Sequence, residues 1–286
     1  MTDVRGLPAS TGRRTAIHGL TPAAIRALEL HEAWAQVRAS RRVVDLDDAI
    51  LLHDPDERDP FLNRLSGLRL PDSPDAFDHR LVELLALFAS LGRRPHVWLS
   101  PAAGTPADLA ERLAAAGFEE VGGTYAMVQV QRPSAPANPP GADVRIQRLL
   151  GAGRRRAGVV RDAARVLFEA FGADAGTEGM IAEDLDRSVA PHADLCLLSV
   201  AGEPVAAGRR YTADGATYIS SVGTRPGFQG RGHGTAVTAA LIDDGRAAGG
   251  ALVHLGVKWD DGRAQRVYRR LGFEIVGDRI ADLLLR

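Results

Sequence analysis

The stretch TRPGFQGRGHGTAVTAAL, from Thr224 to Leu241, decides how the second half of the chain is interpreted. Glycine occupies positions 227, 230, 232 and 234, and an alanine-rich segment follows at once. Because glycine loses much conformational freedom on folding, such a cluster indicates a backbone that must approach another group closely. A glycine turn that opens a helix exposes the N–H groups of the first helical turn, and the helix dipole adds positive potential. The stretch therefore predicts an anion-binding loop and a helix that starts near Gly232.

Two familiar phosphate-binding patterns do not match this loop. A P-loop ends in Gly-Lys-Ser/Thr, and the stretch contains no lysine. The dinucleotide fingerprint G-x-G-x-x-G has a different spacing and belongs to a βαβ unit near the start of a domain. The pattern here is Gln229-x-x-Gly232-x-Gly234, and it follows a predicted β-hairpin whose turn is Asp214-Gly215.

Composition excludes several classes of protein. The 286 residues are 45% hydrophobic, which allows one large or two ordinary domains. A net charge of −1 gives no indication of a nucleic-acid or membrane-surface partner. The single cysteine, Cys196, excludes a disulfide framework and favours a reducing compartment. With no signal peptide and no apolar run near the ~20 residues of a membrane helix, we predict a cytoplasmic protein without a metal site; nothing indicates its oligomeric state.

A proline-rich segment divides the chain. We predict a first domain over residues 1–132, a linker over 133–141 and a second domain over 142–286. The second half is predicted as β-α-α-β-β-β-α-β-α-β-β, in which EIVGD and IADLLLR are separate final strands. This order is typical of an α+β fold with a mixed sheet.

The two halves also look like copies of one another. Glu111–Gly123 aligns with Arg266–Asp278, so that a helix, Gly-Phe, Glu, Val and Gly fall at equal offsets. Leu113 stands where the second half has Tyr268, and the first half has no matching glycine cluster. We therefore predict that the first half has lost its ligand-binding loop and serves a structural role, covering or shaping the substrate pocket.

The loop resembles the acetyl-coenzyme A loop Q/R-x-x-G-x-G/A of the GNAT acetyltransferase superfamily. A second motif of that family, N-x-x-A-x-x-x-Y-x-x-x-G-F, is matched by Asp261, Ala264, Tyr268, Gly272 and Phe273, with Asp in place of Asn. The resemblance covers residues 143–286 and implies an acetyl-CoA-dependent N-acetyltransferase whose acceptor is an amine of a small molecule or peptide. It implies an α+β fold of two GNAT-like domains, each a mixed, mostly antiparallel sheet flanked by helices.

The resemblance also implies a set of acetyl-CoA-binding residues. The N–H groups of residues 229–234 would bind the pyrophosphate, and the ends of the fourth strand would pair with the pantetheine arm. Asp261 replaces an asparagine that contacts this arm, and a carboxylate cannot donate as the amide does, so Asp261 is alternatively a helix N-cap. The implied residues are Val222, Gly223, Thr224, Gln229, Gly230, Arg231, Gly232, His233, Gly234, Thr235, Asp261 and Ala264.

Tyr268 is the candidate catalytic residue. A phenol near the departing thiolate can donate a proton as acetyl leaves sulfur; alternatively, Tyr268 packs in the core. The backbone N–H near Val222 would hold the oxyanion. The general base stays open among His254, Glu183, Asp184 and Asp260, or a water positioned by side chains of the fourth strand: Tyr218, Ser220 and Ser221.

A different class of function also fits the sequence. A non-catalytic coenzyme A-binding sensor or interaction module would keep the glycine loop, and the lack of a carboxylate on the fourth strand favours it. The intact Tyr268 favours an enzyme instead.

Overall fold

A computed structural model describes residues 20–37, 40–101, 103–132, 143–150, 156–172 and 193–286, together with residues 178, 179, 181, 182 and 185. The helices are α1 (Pro22–Ala35), α2 (Pro74–Ser90), α3 (Leu109–Ala115), α4 (Arg156–Phe171), α5 (His233–Ala247) and α6 (Gly262–Arg270). The strands are β1 (Arg42–Asp45), β2 (Ile50–His53), β3 (Arg64–Ser66), β4 (His96–Leu99), β5 (Phe118–Gln129), β6 (Val144–Leu150), β7 (Ala193–Val200), β8 (Glu203–Ala213), β9 (Ala216–Thr224), β10 (Leu252–Lys258) and β11 (Phe273–Leu285).

All of these strands form one sheet, in the order β1-β2-β3-β4-β11-β5-β10-β9-β8-β7-β6. Among the described strands, only the pairs β3–β4 and β9–β10 are parallel. Helices pack on both faces, so the predicted α+β class with a mixed, mostly antiparallel sheet is confirmed. Within the described residues, no helix combines the length and the apolar character that crossing a bilayer requires.

The two halves of the chain exchange their last strands. β5, from the first half, lies between β10 and β11, with Ala126 opposite Gly256. β11, from the second half, lies between β4 and β5, with Ala281 opposite Leu99. The halves therefore share a single sheet rather than each closing its own. The domain boundaries stay a prediction, and the linker over 133–141 lies outside the described residues.

The prediction of two separate final strands is wrong. β11 is continuous from Phe273 to Leu285, although its register with β5 shifts between Val276 and Ile280. Gly277 adopts a φ of +67° inside this shift. A β-bulge of this kind absorbs extra residues without ending the strand, so the glycine and aspartate that resembled a turn lie within it. Most of the second helix predicted after α4 falls outside the described residues.

Alternation along β9 sends its side chains to two different layers. Ile219 packs with Val237 and Leu241 of α5, in a core that also includes Tyr268. Tyr218 points to the opposite face, where its ring lies 5.0 Å from that of His254, and α1 packs against β9. A residue on β9 therefore faces either the layer of α5 and α6 or the opposite layer, which holds α4 and the first-half helix α1.

Candidate functional site

A groove of about 320 Å³ lies where β9 ends and where α5 and α6 begin. From β9 and its loop it is lined by Val222, Gly223, Thr224, Phe228, Gln229, Gly230 and Gly232. From the helices it is lined by Ala170, Phe171, His233, Gly234, Thr235, Asp261, Arg263, Ala264, Arg266, Val267, Tyr268 and Arg270. The groove thus brings together the predicted binding residues and Tyr268, except Arg231, which instead lies over the Phe228 ring at 5.5 Å.

The sheet parts beside this groove. β9 and β10 pair from Ala216–Leu252 up to Ile219–Leu255, and the later residues of β10 pair with β5. Beyond this point β9 carries a bulge at Ser221, whose φ is +51°. Parted strands leave backbone donors and acceptors available for an extended ligand, which can add like another strand.

The glycine loop forms an open anion cradle. Gly230 and Gly232 have φ values of +78° and +84°, and a Cβ at either would meet no atom within 4 Å. Gly232 is the N-cap of α5, and the first backbone bond of the helix runs from Ala236 N–H to Gly232 C=O, at 2.9 Å. The N–H groups of the intervening residues 233–235 therefore have no acceptor within the helix. A diphosphate fits this arrangement, because it supplies the acceptors and the negative charge that the helix start favours.

Three arginines of α6 add positive charge that our sequence analysis missed. Arg263, Arg266 and Arg270 all line the groove, and Arg263 also donates to the Gln229 side chain at 2.5 Å. Their spacing of three and then four residues puts them on one helical face, and this signal was readable in the sequence. They make the groove cationic and suit it to a phosphate-bearing ligand.

Asp261 caps α6. Its carboxylate accepts a hydrogen bond from Ala264 N–H at 2.9 Å, which is the N-cap alternative that the sequence left open. Both residues also line the groove, so the cap forms part of its wall.

Tyr268 is both a core residue and a groove residue. It is only 8% exposed, and its ring makes an edge contact with Phe273 at a centroid distance of 6.0 Å. Burial, followed by the charge of Asp261, raises the pKa of Tyr268 to about 12. The phenol therefore stays protonated at neutral pH and can donate a proton or a hydrogen bond into the groove.

The structure separates the candidates for a general base. His254 is buried, with Nε2 2.8 Å from His31 Nδ1, and burial holds its pKa well below the usual range. Ser220 accepts a hydrogen bond from Arg209 at 2.9 Å, and Asp260 is exposed in the turn before α6. Glu183 and Asp184 lie outside the described residues. His254 is thus a core histidine, paired with a histidine of the other half.

Comparisons with known proteins identify the domain. Residues 161–273 match the model of the acetyltransferase (GNAT) family. A search of curated proteins found no significant match. A GCN5-related N-acetyltransferase from Kribbella flavida is 24% identical, with a TM-score of 0.67 over 93% of this chain and 95% of that chain.

Two further solved structures share the fold. A GCN5-related N-acetyltransferase from Sphaerobacter thermophilus is 18% identical, with a TM-score of 0.57 over 90% of this chain and 84% of that chain. A tandem GNAT protein from the clavulanic acid biosynthesis pathway is 11% identical, with a TM-score of 0.60 over 82% of this chain and 77% of that chain. Residues 161–273 therefore match the GNAT family model, and the described part of the chain has the fold shared by these GCN5-related and tandem GNAT proteins.

Proposed function

We propose that the protein is an acetyl-CoA-dependent N-acetyltransferase that moves the acetyl group directly to an amine. The observation that carries this proposal is the glycine cradle at the start of α5, which opens into the same groove as Tyr268. A non-catalytic binding protein would need the cradle, and packing on Phe273 would need only the ring of Tyr268, whereas acetyl transfer also uses its protonated hydroxyl group.

Each part of the groove has a role in this proposal. Residues 230–235 bind the diphosphate through backbone N–H groups, and the α6 arginines neutralise the remaining phosphate charge. The end of β9 orients the extended arm of the cofactor. Bound acetyl-CoA supplies an activated acetyl carbon, and Tyr268 protonates the thiolate that leaves.

The cradle is tested by Gly232→Glu. A carboxylate at the N-cap of α5 repels phosphate, so we expect a loss of coenzyme A binding by at least ~100-fold, measured by calorimetry. Gly202→Glu is the matched control, because Gly202 has the same φ of +84°, also has open space around its Cβ position, and lies outside the groove. Retained affinity in the first variant, with both proteins folded, would refute the cradle.

The chemical role is tested by Tyr268→Phe. Removing only the hydroxyl keeps the packing on Phe273, so we expect unchanged coenzyme A affinity and a turnover about 10²-fold lower with a panel of amines. If turnover stays the same, Tyr268 serves packing alone. Coenzyme A binding without any turnover in the unaltered protein would favour the non-catalytic alternative.

A further inference from the structure

A second, smaller cavity of about 30 Å³ lies on the other face of the sheet, between α1 and the strands β9, β10 and β5. Its lining is mostly apolar but includes Glu29, Glu32, Tyr218 and His254, together with Leu255 and Gly256 of β10. Both carboxyl groups come from α1. The cavity is large enough for a water molecule or the amine end of a ligand.

Glu29 is the unusual member of this lining. It is 3% exposed, and neither of its carboxyl oxygens has a partner with hydrogen-bond geometry within the described part of the chain; the nearby Gly67 N–H only weakly favours the ionised form. Burial, and then the charge of Glu32, raises the pKa of Glu29 to about 8. A buried carboxyl group without a partner is costly, so it indicates that a ligand completes the site.

The other charged groups around the cavity are already compensated or neutral. Glu32 pairs with Arg64 and accepts from Gln36 at 3.0 Å, and the Arg64 guanidinium lies over the Trp98 ring at 4.6 Å. Arg26 pairs with Asp45 at 2.9 Å.

From β9 and β10 the cavity meets two titratable groups, both neutral at pH 7. Burial depresses the pKa of His254 and raises that of Tyr218. Glu29 is thus the group through which a cation would gain a counter-ion.

The cavity reaches the place where the sheet parts. Leu255 is the last residue of β10 that pairs with β9, and Gly256 follows it. Tyr218 lies beside them, with its hydroxyl 3.5 Å from the Cβ position at Gly256. On the other face, the lining of the groove begins on β9 at Val222, beyond Ile219, the last residue of β9 that pairs with β10. The cavity and the groove therefore approach the same opening between β9 and β10 from opposite faces.

We propose that this cavity receives the amine end of the acceptor, with Glu29 of the first half as its counter-ion and proton acceptor. The inference rests on the proposed function and gives the first half a direct part in the reaction. The acceptor is a primary amine on an apolar body, because a carboxylate next to the amine would face both Glu29 and Glu32.

The proton and bond changes balance along this route. The ammonium gives one proton to ionised Glu29 and becomes a neutral amine. Its nitrogen forms the bond to the acetyl carbon, and the C–S bond breaks. The nitrogen loses its second proton while the thiolate gains one from Tyr268, which is reprotonated from the nitrogen through water. Glu29 then releases its proton to solvent, so the net products are the amide, coenzyme A and one proton.

The test compares Glu29→Gln with Glu111→Gln, an equivalent change on the exposed surface of α3. Phenethylamine and phenylalanine are the probes, since they differ by one carboxylate beside the amine. We expect the unaltered protein to acetylate phenethylamine at least 10-fold faster in kcat/KM than phenylalanine. Glu29→Gln should lower kcat/KM for phenethylamine by about 10²-fold. Glu111→Gln should leave this kcat/KM unchanged, and neither variant should change the Kd for coenzyme A.

The pH profile gives a second readout. In the unaltered protein kcat/KM should rise with pH through about 8, as Glu29 ionises. In Glu29→Gln it should rise only near ~10, where a free alkylamine loses its proton.

Three outcomes would overturn the inference, and they can be told apart. Equal turnover in Glu29→Gln and the unaltered protein removes Glu29 from the reaction. Coenzyme A binding without acetylation of phenethylamine rejects the amine site but keeps the cradle. No coenzyme A binding at all rejects the proposed function itself, and this inference with it.

Discussion

At the scale of single residues, the raised pKa of Glu29 makes the stability of the fold depend on pH. The unfolded carboxyl group ionises near 4.5, whereas the folded one stays protonated up to about 8. Between these values the folded state binds more protons, so the free energy of unfolding falls as pH rises from about 4.5 to about 8.

We expect Glu29→Gln to abolish that fall. At pH 9 the variant should be more stable than the unaltered protein by a few kcal/mol, because a neutral amide has no ionised form to desolvate. Urea unfolding at pH 5 and pH 9 measures this difference, with Glu111→Gln as the control. If Glu29→Gln and the unaltered protein lose the same stability between pH 5 and pH 9, then Glu29 is already ionised in the folded state.

Asp261 allows a second prediction at this scale. Asp261→Ala removes the acceptor of the Ala264 N–H and should cost about 1 kcal/mol, whereas Asp261→Asn keeps a capping oxygen and should cost a few tenths. Thermal unfolding distinguishes the two variants. Equal losses from both would show that the charge, and not the cap, is what stabilises α6.

The residues that line the groove were easier to predict from the sequence than those that line the cavity on the other face of the sheet. The glycine loop, Asp261 and Tyr268 belong to short local motifs, so the spacing of these motifs in the sequence was enough to identify them as candidate site residues. Glu29 and Glu32 lie on a helix of the other half, where they look like part of an ordinary solvated face. Their burial depends on how α1 packs on β9, and no local pattern encodes that packing.

At the scale of elements, the residue that follows α6 makes a close backbone contact with the end of β5, which belongs to the first half. Gly272 follows the helix with a φ of +82°, and its carbonyl accepts from Val130 N–H, at the end of β5, at 2.9 Å. A Cβ at Gly272 would overlap the backbone carbonyl of Gln131. This position therefore needs glycine both for its left-handed conformation and for close approach.

We expect Gly272→Ala to destabilise the protein by more than about 2 kcal/mol. Gly249→Ala is the matched control, because Gly249 holds the equivalent place after α5, has a φ of +91° and has no atom within 4 Å of its Cβ position. The control should cost only about 1 kcal/mol of conformational strain. Similar losses by chemical denaturation would mean that β5 moves freely to accommodate the methyl group.

Most helices and strands were predictable because their periodicity and caps are local, as at Ser73, whose side chain accepts from Ala76 N–H at the start of α2. The pairing of β5 with β11 was not predictable from the sequence, because a strand with alternating apolar residues can pair equally well with a strand of its own half or of the other half. The bulge in β11 was not predictable either, because Gly277 in a sequence equally indicates a turn between two strands.

At the scale of the whole molecule, the shared sheet predicts that neither half is self-sufficient. A fragment of residues 133–286 would lack β5, so β10 would lose a partner and expose an unpaired edge. We expect this fragment to unfold without cooperativity and to aggregate. Mixing it with a fragment of residues 1–132 during refolding should restore the thermal transition and coenzyme A binding. A stable, coenzyme A-binding fragment 133–286 would contradict this view of the sheet.

The exchange of β5 and β11 also bears on ancestry. In a strand-swapped homodimer, each subunit places its final strand in the sheet of the other. If two such subunits were joined end to end, the product would have the connectivity seen here. Once joined, the copies could diverge, since each kept its partner through covalent attachment. One copy could then give up its glycine loop without losing the strand that completes the other.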